Sequence, residues 1–218
     1  MDKYKETFET WNKIANLYQD KFMTLSLYND TYDFFCNTLT QEQINVFEIG
    51  CGPGNITKYL LSKKTSLKIT GIDIAPKMIE LAKANNPSAN FEVMDTRELS
   101  SLDQKFDAIM CGFCLPYLSK EDCSKLINDS AKILLNNGIL YLSFVAGNPS
   151  QSGFISGSTG DRTYFYYHTL EDIINQLLIK DFEVIKLFDL NYVKGEDIEI
   201  HTIIIAKKKE QSIQKPII

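Results

Sequence analysis

The chain has 218 residues, 44% hydrophobic and 23% charged, which is room for one sizeable core and not two. A formal net charge of −5 offers no basic face for nucleic acid, and no apolar run reaches the length of a membrane span. Five cysteines, at 36, 51, 111, 114 and 123, follow a polar opening, Met1-Asp2-Lys3-Tyr4-Lys5-Glu6, that lacks the apolar segment of a secretory signal. Reduced thiols and a cytoplasmic location are therefore expected. Cys111-x-x-Cys114 has no second pair, and the two histidines, His168 and His201, lie far off in sequence, so no metal is expected.

Residues 4–39 predict two helices. Phe8, Trp11, Ile14, Ala15 and Tyr18 fall at helical spacing, and Tyr28, Tyr32, Phe35, Cys36 and Leu39 form a second apolar face. Aromatics at such spacing either pack the helix or face a site, and both readings stand for Trp11 and Tyr18.

Val46-Phe47-Glu48-Ile49 then reads as a buried strand broken by one acid, and Gly50, Gly52 and Gly54 follow before helical periodicity resumes at Ile56. Glycine lets a ligand lie against bare main chain, and a helix start aims free N–H groups at it. The dinucleotide fingerprint spaces its glycines G-x-G-x-x-G; here they alternate, behind Glu48. A carboxylate there would repel a pyrophosphate and suit an ammonium or sulfonium. Glu48-x-Gly50-x-Gly52-x-Gly54 resembles the first motif of the class I S-adenosylmethionine-dependent methyltransferases. Any α/β domain with a tight strand-to-helix turn is the alternative.

The resemblance extends along the chain. The segment from Trp11 to Tyr18 is similar to the helix before the core in many small-molecule methyltransferases, where the residue at Tyr18 closes over the cofactor's methionine end. A second strand, 67–73, ends in Asp73, whose carboxylate can accept two hydrogen bonds from ribose hydroxyls. Met78 falls on the apolar side of the next helix; the run Ile74-Ala75-Pro76-Lys77-Met78 is similar to the family's second motif, which implies Ile74 beside the adenine ring and Met78 among the cofactor contacts. A third strand ends in Asp95. The family implies that Asp95, followed by Thr96, binds the adenine amine; the alternative is a cap of the turn through Arg97.

The fourth strand is 105–111, and the resemblance implies that Cys111, Gly112 and Phe113 border the cofactor's methionine portion and that Cys51 and Gly52 also bind the cofactor. Many relatives then show leucine-x-histidine; here Leu115-Pro116-Tyr117 replaces the histidine by a phenol, which either acts in the site or packs. No Asp/Asn-Pro-Pro-Tyr/Phe signature of DNA amino-methylating enzymes is present. A helix over 121–135, stopped by Asn136-Asn137-Gly138, leads into a fifth strand, 138–145. Residues 146–161 read as a loop, then Arg162 to His168 as an alternating strand with Tyr164 and Tyr166 on one face. That run either walls a substrate pocket with His168 as general base, or ends in a helix entry capped by Thr169. Two last strands, 182–188 and 198–206, form an antiparallel hairpin around the loop 191–197, and 207–218 reads as a frayed tail.

The resemblance implies an α/β Rossmann-like three-layer sandwich, a seven-stranded mostly parallel sheet ending in that hairpin. It would be a single domain over 1–218, with a helical cap at 1–40 and a core at 41–206. The implied activity is methyl transfer from S-adenosylmethionine to a small molecule by a monomer or homodimer, with no nucleic-acid or membrane partner. His168, Tyr166 and Tyr117 are the candidate bases, and Trp11, Tyr117, Tyr164 and Tyr166 the candidate substrate contacts. An NAD-dependent oxidoreductase and a non-catalytic cofactor-binding module are the alternatives.

Overall fold

The computed structural model describes residues 2–41, 44–194 and 197–210. Three helices open the chain, α1 (Lys3–Lys13), α2 (Ala15–Phe22) and α3 (Asn29–Thr38), where the periodicity predicts two. Asp2 starts α1 by accepting from the Tyr4 and Lys5 amides. The break at Ile14 carries no glycine or proline. It turns the chain so that Trp11, Ala15 and Tyr18 pack together against Ala75 and Met78, a tertiary demand that spacing alone does not show.

The core alternates β1 (Ile44–Ile49), α4 (Asn55–Lys63), β2 (Leu67–Asp73), α5 (Pro76–Asn85), β3 (Asn90–Val93), β4 (Phe106–Cys111), α6 (Lys120–Ile133) and β5 (Leu134–Val145). A hairpin, β6 (Gly153–Ser156) and β7 (Arg162–Phe165), then precedes α7 (Leu170–Ile179), β8 (Phe182–Lys194) and β9 (Asp197–Lys208). The seven-stranded sheet runs β3-β2-β1-β4-β5-β9-β8, parallel through β5 and antiparallel at β9 and β8. Strand alternation splits its core in two. Phe47, Ile49, Ile109, Leu140 and Leu142 face α6 and α7, while Val46, Met110, Tyr141 and Ile203 face α3 and α4. The order reverses at β1 and β4, so a crevice opens outside their carboxyl ends, where open α/β sheets hold ligands.

Four local expectations need correction. The helix expected to 135 ends at Ile133, because Asn136-Asn137-Gly138 is an irregularity inside the entry to β5: Asn137 takes φ 64° and the register to β4 shifts there. The loop 146–161 contains β6, paired with β7 through main-chain bonds. The loop 191–197 is shorter than expected, since β8 continues to Lys194 and β9 begins at Asp197. Lys207 and Lys208 belong to β9, not to a tail. Lys208 is buried, its Nζ donating to the Ala131 and Leu134 carbonyls at 2.6 and 2.9 Å, a cation at the end of α6. The rest of the expected tail, 211–218, lies outside the described residues.

Candidate active site

The turn after β1 is held from β2. Asp73 Oδ2 accepts the Gly52 amide at 3.0 Å and Oδ1 accepts the Ala75 amide at 2.9 Å. Burial pushes its carboxyl above the usual range, and those two N–H groups oppose the rise. Each oxygen keeps a further lone pair, enough for a pair of ribose hydroxyls. Gly50, Gly52 and Gly54 all adopt positive φ. Gly52 faces open space, with the Tyr18 ring 3.7 Å from where a Cβ would stand. Gly54 does not reach the cleft. It lies against α5, where a Cβ would come within 2.4 Å of Asn86 Nδ2, which donates to its carbonyl at 2.9 Å. The expected ligand contact of Gly54 is thus a helix-packing contact.

Two cavities meet at this turn. One, of about 150 Å³, is bounded by Gly50, Asp73, Ile74, Met78, Asp95 and Thr96. The other, of about 460 Å³, is largely aromatic, with Cys51, Tyr28, Phe165, Tyr167, Tyr192 and His201 among its walls. Trp11, Tyr18, Gly50, Gly52, Phe113 and Tyr117 border both. Trp11 stands edge-on to Tyr18 and Tyr117, at 5.4 and 5.3 Å between ring centres. Burial pushes the phenols of Tyr18 and Tyr117 up, so as free groups both are suited to donating and poorly suited to taking a proton.

The smaller cavity fits an adenosyl group. Its floor is bare glycine main chain, its acids are Asp73 and Asp95, and the one described cation on its wall, Arg97, is already paired with Asp95. Asp95 serves as N-cap by accepting the Arg97 amide at 2.9 Å and also receives the guanidinium. Burial raises its carboxyl, and the Arg97 bonds outweigh that and hold it below the usual range. Glu48 differs from expectation: it lies under the turn, 1% exposed, on neither cavity wall. Its Oε2 accepts from Thr57 Oγ1, while Oε1 has no partner among the described residues. Burial pushes its pKa up to about 8, with Thr57 opposing. Neutral at pH 7, Glu48 adds no charge behind the turn, so the charge that disfavours a pyrophosphate there is that of the cleft's own acids, Asp73 and Asp95.

The aromatic run after the hairpin alternates as expected but presents the other face. Thr163, Phe165 and Tyr167 wall the larger cavity, whereas Tyr164 and Tyr166 border neither and face α1. Lys3 Nζ lies 4.0 Å over the Tyr164 ring, and Tyr166 stacks on Tyr4 at 6.4 Å. Alternation is symmetric, and only the seat of α1 decides which side is inside. The Tyr164 amide donates to Thr7 Oγ1 at 2.9 Å, and Thr10 Oγ1 donates to the Arg162 carbonyl at 2.8 Å.

Cys111 also misses the site. It shares the α6-facing side of β4 with Ile109 and is fully buried in that core, so Cys114 reaches the cleft in its place. Phe113, at φ 54°, donates its amide to Ser143 Oγ at 2.8 Å. His168 is buried, borders neither cavity, and has Nε2 3.0 Å from the Leu115 carbonyl. A carbonyl accepts, so that nitrogen carries the proton. Burial lowers its pKa, and the carbonyl bonds oppose the fall. The expected base is thus a donor that ties the chain after β7 to the loop after β4. Thr169 caps α7 as the alternative reading has it, accepting the Asp172 amide at 3.1 Å. The site residues missed in the sequence are Tyr28, Tyr192, Glu199 and His201. The one available signal was polar residues at alternate positions in the otherwise β-branched run from Ile198 to Ile205.

The comparisons with known proteins agree with this geometry. A methyltransferase-domain family model matches residues 46–138. Similar curated relatives include a putative methyltransferase of Invertebrate iridescent virus 6, 32% identical over 54% of this chain and 43% of its own. Others are a malonyl-[acyl-carrier protein] O-methyltransferase of Acetivibrio thermocellus (25% identical; 81% of this chain, 65% of its own) and a demethylmenaquinone methyltransferase of Thermotoga maritima (27%; 70% and 65%). The chain thus spans about two fifths to two thirds of the length of these relatives. Among solved structures, a SAM-dependent methyltransferase of Methanosarcina mazei superimposes with TM-score 0.69 at 23% identity, covering 82% of this chain and 98% of that one. Magnesium protoporphyrin IX methyltransferase of Synechocystis with bound SAM gives 0.72 at 18% identity over 96% and 98%. With its alternate glycines, the Asp73 clamp and this sheet order, the chain has the fold of the class I S-adenosylmethionine-dependent methyltransferases and is similar to their methyltransferase domain over residues 46–138.

Proposed function

We propose that this protein moves the methyl group of S-adenosylmethionine to a small, largely aromatic molecule held in the 460 Å³ cavity. The observation that carries this reading is the junction at Gly52 and Phe113, where an adenosyl-shaped cleft opens into an aromatic chamber. A bound sulfonium supplies an already activated methyl group, which leaves the protein the work of holding and enclosing. Asp73 would hold the ribose, Asp95 and Thr96 the adenine amine, and Ile74 and Met78 the faces of the ring. Tyr18, Gly50, Cys51, Gly52 and Phe113 would enclose the methionine end. Trp11, Tyr117 and Phe165 would position the acceptor, an ordering that in favourable cases lowers a barrier by roughly 7–11 kcal/mol. The α1–β7 contacts, reinforced by Lys13 and Asp161 at 2.8 Å, make a cover that excludes water.

The relatives' names span an acyl-carrier-bound acid, a quinone precursor and trans-aconitate, so the acceptor is read from this cavity and not from them. The proposal includes one domain over 1–218, a monomer or homodimer in the cytoplasm, and no nucleic-acid or membrane partner. Among the described residues no helix is long and apolar enough to cross a membrane. Titration calorimetry with S-adenosylhomocysteine, against NADH as competitor, tests the reading. Tight binding of the former with no displacement by NADH is expected, together with labelled-methyl transfer into a small-molecule extract. Preference for NADH would refute it.

A further inference from the structure

His201, on β9, stands on the wall of the acceptor cavity, only 6% exposed. Its Nδ1 is 2.7 Å from Tyr28 Oη, and its Nε2 is 3.5 Å from Glu199 Oε2. The Tyr28 and His201 rings are within 7° of parallel, with centres 6.0 Å apart. The imidazole is held between Tyr192, stacked at 4.7 Å, and Phe113, also at 4.7 Å. Phe113 is one of the residues that border both cavities, so the group lies next to where the two ligands must meet.

A neutral imidazole has one donor and one acceptor nitrogen. The Tyr28 contact fits either tautomer; a relay assigns the proton to Nε2, on the side of the Glu199 carboxylate, so that Nδ1 accepts from the Tyr28 hydroxyl. The three groups form a line along the cavity wall, from the buried Tyr28 through His201 to Glu199, whose side chain is 31% exposed. Resting on the methyl-transfer reading, we propose that Tyr28, His201 and Glu199 form a proton relay, and that the acceptor is a hydroxyl group on an aromatic small molecule.

Carboxylate acceptors arrive ionised and need no base, whereas phenols at neutral pH do. The wall chemistry agrees: its described carboxylates, Asp161 and Glu199, outnumber its one described lysine, Lys21, so an anionic acceptor is poorly received. In the step, the acceptor O–H bond breaks and its proton passes to Tyr28 Oη as Tyr28 gives its own proton to His201 Nδ1. The freed oxygen lone pair forms the bond to the methyl carbon, and the carbon–sulfur bond breaks with its pair returning to sulfur. The imidazolium, balanced by Glu199, later releases the proton to water. Tyr28 touches the acceptor and is the catalytic residue; His201 and Glu199 act through it. Burial holds the Tyr28 phenol above its ordinary value, which is why it needs His201 behind it. Among the described residues, the titratable groups facing His201 include Tyr28 from the start of α3, Tyr192 from β8 and Glu199 from β9, and Tyr18 and Tyr141 face Tyr28.

Long-range proton–nitrogen NMR tests the relay without turnover. The chain has two histidines, so spectra of the wild type and His168→Gln assign His201. A neutral ring protonated on Nε2 is expected, with its nitrogen shifts moved in Tyr28→Phe and its pKa lowered by about one unit in Glu199→Gln. A ring protonated on Nδ1, or a pKa unmoved in Glu199→Gln, would overturn the relay. The second arm follows labelled-methyl transfer to phenols ranging from para-nitrophenol to para-methoxyphenol, with benzoate as the carboxylate. Tyr28→Phe and His201→Asn should slow the least acidic phenols by about 10²–10⁴-fold, para-nitrophenol far less, and leave S-adenosylhomocysteine affinity unchanged. Equal losses along the series, faster methylation of benzoate, or no phenol methylated by an enzyme that binds S-adenosylhomocysteine would overturn the proposal. Failure to bind S-adenosylhomocysteine at all would instead strike the methyl-transfer reading beneath it.

Discussion

The cofactor cleft takes most of its groups from the ends of β1 to β4 and the turns that follow them, while the acceptor cavity gathers side chains from α1, α2, the start of α3, β7, β8 and β9. In the cleft the main chain does much of the holding: Gly52 and Ala75 amides fix Asp73, and the Arg97 amide fixes Asp95. In the cavity, rings hold rings, as Trp11 does Tyr117 and as Tyr192 and Phe113 do His201. A backbone-built site tolerates few substitutions at its turns. A side-chain-built site can change its ligand while the sheet beneath stays the same.

That contrast can be broken by mutation, and the largest effect is expected at Gly54. Gly54→Ala places a Cβ at positive φ, costing about 1–2 kcal/mol, and displaces the Asn86 amide, costing roughly 1–2 kcal/mol more. Chemical denaturation should show the sum, and an unchanged midpoint would mean that the turn is not under this constraint. Asp73→Ala comes next, with S-adenosylhomocysteine affinity falling by about 1–3 kcal/mol in calorimetry. Undiminished affinity would remove the ribose assignment.

In the acceptor cavity, Phe165→Ala should raise the acceptor KM by about 1–2 kcal/mol equivalent through lost apolar contact. Tyr164→Ala, one residue away on the outer face, should change it by less than about 0.5 kcal/mol. Reversal of that order would return Tyr164 to the cavity wall.

A last effect is one of pH. Burial raises Glu48 to about 8, so the native state keeps a proton that the unfolded chain has lost. Its contribution is present below the ordinary carboxylate value and is lost as pH rises through about 8. Unliganded Tm should therefore fall across that window, and Glu48→Gln should flatten the fall. Asp73, raised in the same direction, leaves a residual slope. An identical slope in Glu48→Gln would place the titration elsewhere.

Much of the cleft was legible in the sequence because its determinants are local. Gly50-Cys51-Gly52, Asp73 and Asp95 each stand at a strand end, where position in the chain fixes position in the crevice. Glu48 was legible as a buried acid near the turn but not as one screened from the ligand, since which face of β1 meets α4 depends on packing. The cavity was legible only in part. Trp11, Tyr18 and Tyr117 do line it, but the alternation from Thr163 to Tyr167 could not say which set faces in, and two equally lone histidines could not be told apart.

By itself, then, the sequence determined the alternation of strands and helices from β1 to β5, the glycine turn and the acids at the strand ends, because periodicity and backbone conformation are properties of neighbours in the chain. Only the tertiary structure decided that Phe165 and not Tyr166 faces inward, that His168 is tied to a carbonyl, and that His201 meets Tyr28 from 173 residues away. Such contacts depend on how α1, α3 and the β8–β9 hairpin settle on the sheet, a matter of packing between distant segments that no local pattern encodes.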